Sequence, residues 1–330
     1  MEKEMIYKSR GFSSCINSAY HLMSANMKGI IRSTWLPVLL MSLLCGMLVI
    51  LYVPNEKVVA FALANRGLYL TLIIVGVLGI LLCNVWLYSR LMSMLNDQPR
   101  LWNFKRVLLT FIYMLGIELF VTLIISAAFF LAIRATGGNP LHFLIDNWLV
   151  VLIVFVLLVI ALLPFYYIVM RYLYDKEASF WSDLPKTYET GLRHLGIIFI
   201  TTLLTSIIVG VIAMVASIPL GILNIANLLS FLGRLNGDPA TLPGYFQPLL
   251  FFTTVLVVMV TQYIYMFPIV VYLFIYGSIE KEKEERHSWR DRDMEERHSW
   301  RNRGMEERPQ DESPSPSNDT DPHLPLQRLN

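Results

Sequence analysis

From Trp148 to Met170 the chain carries no charged residue and offers no polar face. About 20 apolar residues cross the hydrocarbon core of a bilayer. No water is present there to satisfy the backbone, so a spanning segment must be a helix or part of a closed barrel. The run is continuous rather than alternating, which selects the helix. Five further segments share this character. The six are Trp35–Val53, Gly67–Tyr88, Val107–Ile133, Trp148–Met170, Leu195–Pro219 and Leu249–Ser278. The last is long enough that it must tilt or emerge as helix. Only 16% of residues are charged, where soluble domains carry about a quarter. The expected fold is all-α: a polytopic integral membrane helical bundle, its six transmembrane helices arranged as three hairpins.

Three regions follow. Residues 1–34 form an N-terminal amphipathic segment, 35–278 the six-helix transmembrane domain, and 279–330 a charged, repeat-containing, largely disordered tail. Ala60-Phe61-Ala62 looks like a cleavage site, but the polar lead-in and the apolar run before it are too long for a signal peptide. Lys and Arg set orientation. Of the 27, all but Lys57, Arg66, Arg134 and Arg234 fall on the side that holds both termini. That side is expected to be cytoplasmic. Trp35, Trp86, Tyr88, Trp148, Tyr166 and Tyr167 stand at span ends as interfacial belts.

Two hairpins share a lead-in, since Phe12 to Tyr20 and Phe180 to Tyr188 have equal spacing. Ile16, Tyr20, Met23, Met27 and Ile30 recur at helical steps, as do Trp181, Leu184, Tyr188, Leu192 and Leu195. These predict cytoplasmic amphipathic helices that lie on the membrane surface or brace the bundle. Pro164 and Pro268 precede the tyrosine-rich stretches Tyr166–Tyr174 and Tyr272–Tyr276 and are expected to kink their helices. Such repeats build a transport site in some proteins. An ancestral duplication that only packs a stable bundle leaves the same trace.

The amphipathic lead-in, Trp35-Leu36-Pro37 and the hydrophobic hairpin after it resemble, in plan over residues 12–280, a group of six-helix bacterial membrane proteins. These are similar to the membrane domain attached to some glycerophosphodiester phosphodiesterases. The resemblance implies a bacterial inner membrane. It implies no activity, because the metal-binding residues of the phosphodiesterase domain have no counterpart here.

Glu118 is the one carboxylate within the spans, 11 residues into the third. A charge at that depth faces a cavity or a partner. It reads as a proton or cation site, or as a protonated group bonded across helices. Ser206 and Gln262 lie at similar depth and complete a candidate intramembrane polar site; Asn84 lies nearer the inside. Thr202, Ser206 and Gly210 form a small-residue stripe suited to close helix approach. Ile225–Leu232 is too short to span and reads as re-entrant, interfacial or a plain connection.

In the tail, Glu284-Glu285-Arg286-His287-Ser288-Trp289-Arg290 recurs as Glu295-Glu296-Arg297-His298-Ser299-Trp300-Arg301. A protein partner through this tail is one reading and a solvated mixed-charge segment the other. Its acids outnumber its bases, so nucleic acid is not expected. Cys15, Cys45 and Cys83 form no disulfide framework. The spans contain no histidine and one carboxylate, so no enzyme, metal or cofactor is expected. Two functions remain: a membrane scaffold or accessory protein that organises partners or lipids, and a small-molecule or ion transporter working around Glu118.

Overall fold

The computed structural model describes residues 6–53, 56–96, 98–135, 147–237 and 242–306; side chains 56, 57, 135, 293 and 296–306 lie outside the description. Nine helices appear among these residues, with no strand. They are α1 (Phe12–Tyr52), α2 (Glu56–Ala64), α3 (Arg66–Leu95), α4 (Arg100–Ala135), α5 (Trp148–Leu162), α6 (Pro164–Tyr174), α7 (Leu184–Arg193), α8 (Leu195–Leu235) and α9 (Phe246–Glu306). Six membrane-length apolar helices result when α5 and α6 are counted together. The all-α, multi-pass expectation is met. The chain divides into two units at Lys281 and Glu282.

The two lead-ins fold differently. The first joins its span without a break, so α1 runs 41 residues through Pro37. The second forms the separate helix α7, which stops at His194 before α8 begins. Helix α8 continues through Pro219 to Leu235 and takes in Ile225–Leu232 as part of the same rod. At 1.5 Å per residue, α1 and α8 each reach about 60 Å, roughly twice a hydrocarbon core.

Of the two prolines expected to kink, Pro164 divides its span into α5 and α6, whereas Pro268 lies inside unbroken α9. Proline removes a donor and pushes away the carbonyl four residues back. Around Pro164 the affected carbonyls find other donors. Leu163 N donates to Ile160 O at 3.3 Å, and the Tyr188 hydroxyl donates to Ala161 O at 3.0 Å. Helix α7 thereby clasps the break. Gly191 lets it approach, since a Cβ there would sit 2.8 Å from Pro164 Cβ and 3.1 Å from its Cα.

The main core lies at the end of the bundle that holds the N-terminal segment. Ile6, Leu22, Leu91, Leu95, Tyr167, Leu173, Leu273 and Ile279 are buried together there. At the other end α1, α8 and α9 meet around Val53, Phe246 and Leu250. Along the first hairpin, Gly76 and Gly79 of α3 pack against Leu48 and Leu44 of α1 in antiparallel register. Spans three and four behave otherwise. Their terminal-side halves pack through Leu109, Tyr113, Ile168 and Tyr172. No residue of α5 is buried, and only 6% of the apolar window of α4 is.

Gly191→Ala is expected to lower stability by about 1–3 kcal/mol, because the new methyl meets backbone as well as side chain. Gly210→Ala, which opens onto free space in α8, should be neutral or stabilising by up to about 1 kcal/mol. Thermal unfolding of both purified variants in one detergent checks the contrast.

Candidate functional site

The polar chemistry gathers at the terminal-side end, where helix termini leave backbone groups without intrahelical partners. Arg106 on α4 answers several of them. Its guanidinium donates to Tyr172 O, to Asp175 O at 2.7 Å and to Lys176 O at 2.6 Å, all at or just beyond the C-terminus of α6. A cation there also complements the negative end of the helix dipole. The same group lies 4.4 Å from the Trp102 ring centroid and 4.5 Å from that of Tyr172. Beside it, Asn96 and Asn103 bond reciprocally, amide to amide, at 2.9 Å in both directions. Both are buried, and Asn96 Nδ2 reaches Leu173 O at 3.4 Å. This pair closes the turn from α3 to α4 and ties it to the fourth span. Arg171 donates to Thr187 Oγ1 at 2.8 Å and approaches Asp183 at 4.0 Å, linking α6 to α7.

The two tyrosine-rich stretches meet. Tyr166 stacks on Tyr272 with centroids 4.2 Å apart, and Tyr167 lies 5.8 Å from Tyr276. Tyr7, from the N-terminal segment, adds edge contacts to Tyr174 and Tyr276. Tyr167 donates its hydroxyl proton to Glu280. The N-terminal segment is held to α9 by Arg10 N donating to Ser278 Oγ at 2.9 Å and Ser278 Oγ donating to Arg10 O at 3.0 Å. Gly277 permits this, because a Cβ there would fall 2.3 Å from Ile6 O. A cavity of about 550 Å³ opens among Tyr7, Asn96, Tyr174, Asp175, Tyr276 and Glu280. Burial holds the Tyr7 hydroxyl above its usual range; a bond with Tyr276 offsets part of this, and Glu280 and Asp175 add to it.

A second cavity, of about 390 Å³, lies where α1, α3 and the start of α4 converge. Arg32, Arg90 and Arg100 line it with Trp35 and Trp86, and no acid is among the described residues that line it.

Glu118 and Ser206 are exposed on α4 and α8, and Gln262 is half-buried on α9. None lines either cavity. Asn84 donates to Ile80 O of its own helix at 3.0 Å. The buried stripe of α8 is Ile198, Thr201, Thr205, Val209 and Ala213, turned from the expected Thr202, Ser206 and Gly210. Trp289 is exposed, with the Arg292 guanidinium 4.2 Å from its ring centroid; the Trp300 side chain and the third repeat copy lie outside the described residues. The cysteines are free. No group of three His, Cys, Asp or Glu side chains suited to a metal occurs among the described residues.

Sequence reasoning missed the asparagine pair, the Arg106 clamp and the arginine cavity. The signal for the last was present, because Arg32 with Trp35 and Trp86 with Arg90 stand at helical spacing of three and four. Compared with known protein families, curated proteins and solved structures, the chain matches none.

Asn103→Ala removes both bonds of the buried amide pair, leaving Asn96 its longer bonds to Leu173 O and Gln98 N, and should cost about 1–3 kcal/mol, read as a lowered unfolding midpoint. The pH dependence has a fixed sign. Tyr7 has a folded pKa above its unfolded value of 10.0, so its contribution is complete below pH 10 and is lost as pH rises through the folded value. Midpoints compared at pH 8 and at about 11 should fall less in Tyr7→Phe than in the parent.

Proposed function

We propose that this chain is a multi-pass membrane scaffold or accessory protein, with both termini in the cytoplasm of a bacterial inner membrane. The supporting observation is the environment of Glu118. Transport through a titrating midplane group calls for a water-reachable cavity between spans, yet Glu118 is exposed on α4 and lines neither cavity. Around it Leu115, Leu119, Phe120 and Leu123 are exposed too, and α5 buries nothing. An acid on a lipid-facing surface is costly alone and is relieved by a hydrogen bond from another membrane helix. The half-packed hairpin of α4 and α5 therefore suits docking of a partner's transmembrane helix. The concentration of Lys and Arg on the terminal side supports the orientation.

Two measurements test this together. A photo-crosslinking residue at Leu115 should give a discrete protein adduct in native membranes, lost when Glu118→Leu is added. In liposomes, proton and small-solute flux should be at background for the parent and for Glu118→Gln alike. Flux in the parent that disappears in Glu118→Gln would overturn the scaffold in favour of a transporter.

A further inference from the structure

The cavity formed by α1, α3 and the start of α4 is lined by three arginines on an apolar protein, at the ends of two predicted spans. Arg32 lies one turn before Trp35 on α1, and Arg90 one turn after Trp86 on α3, so each helix presents one cation and one indole to the same space. Arg100, at the start of α4, supplies the third cation. The walls are held by α1 and α3 themselves: Ser33 Oγ donates to Ile30 O and to Met94 Sδ, each at 3.1 Å. Gly29, on the same face, leaves room for Met94 Cε, which a Cβ would meet at 3.3 Å.

Arginine does not deprotonate in proteins, so three such groups around one space repel unless an anion joins them. Among the described residues none of the three side chains makes an ion pair or hydrogen bond, in contrast to Arg106, Arg171 and Arg193. Asp97, the acid nearest to Arg100 in sequence, lies outside the described residues. The forked geometry of guanidinium matches phosphate oxygens two at a time. Basic pockets between membrane helices at headgroup level take phosphorylated headgroups, and tryptophan favours that depth. We infer that the Arg32, Arg90 and Arg100 cavity is a phosphate-binding site for a phospholipid headgroup or a soluble phosphate ester. The site depends on the chain spanning a membrane and not on its scaffold role, so the flux and crosslinking results leave it standing.

The test uses the full chain in neutral detergent, with native mass spectrometry to count bound lipid and thermal unfolding to follow its effect. Phosphatidylglycerol should bind saturably and raise the midpoint, whereas phosphatidylcholine with the same acyl chains should do neither. Arg32→Gln/Arg90→Gln should bind phosphatidylglycerol at least about tenfold more weakly, with an unchanged midpoint in detergent alone. Arg193→Gln, exposed and away from the cavity, should bind as the parent does. If inorganic phosphate or glycerol 3-phosphate raises the parent's midpoint as far as the lipid does, the phosphate site holds and its ligand is the soluble one. Should the double glutamine variant not fold, Arg32→Lys/Arg90→Lys keeps the charge, loses the fork and should still bind severalfold more weakly. Equal binding of the two lipids, undiminished affinity in the folded variants, or the same loss in Arg193→Gln would overturn the assignment.

Discussion

Every backbone carbonyl that enters hydrocarbon must find a donor, because an unpaired one costs several kcal/mol there. Six long helices satisfy nearly all of them internally, and the remaining structure is arranged around those that a helix cannot satisfy. Pro164 creates such carbonyls inside the fourth span. The Leu163 amide takes one and the Tyr188 hydroxyl another. That second bond requires a helix lying across the break, and Gly191 is what lets α7 come so close. A proline on one span and a tyrosine on a distant lead-in are therefore parts of one device. Pro268, by contrast, lies inside the continuous helix α9.

The same logic shapes the terminal-side end. Helix α6 ends there, and Arg106 reaches across from α4 to its last carbonyls. The asparagine pair then fixes the turn between α3 and α4 against the same strand of backbone. Residues from the N-terminal segment, α6 and α9 close over this end through tyrosine rings, Glu280 and Ser278. This interior is built from directional bonds as well as apolar contact. Directional bonds suit a level where water competes for polar groups and where lipid tails give apolar surfaces no reason to leave them.

Span number and helical class were legible because length and uniform apolarity suffice for both. The azimuth of each helix was not. A helix apolar all round carries no periodic signal to say which face turns inward. Glu118 and Ser206 match in depth and are both exposed, and the buried stripe of α8 proved to be Thr201, Thr205 and Val209 rather than Thr202, Ser206 and Gly210. Depth is a one-dimensional quantity, and a shared pocket needs two more. The tyrosine-rich stretches were legible as a pair, and they do meet, because each sits at a span end where aromatic rings gather. The asparagine pair left no such trace, since Asn96 and Asn103 flank an ordinary turn and only their burial distinguishes them.

The excess of basic residues on the terminal side has two structural fates, which a count alone merges. Arg106 and Arg171 are committed to carbonyls, a hydroxyl and a carboxylate of their own chain. They are part of the scaffold and have little affinity left for anything else. Arg32, Arg90 and Arg100 line a common cavity with two indoles, with no acid among the described residues that line it. Cations that line one cavity raise the local potential there. The basic excess that the sequence shows and the arginine-lined cavity in the structure thus draw on the same residues.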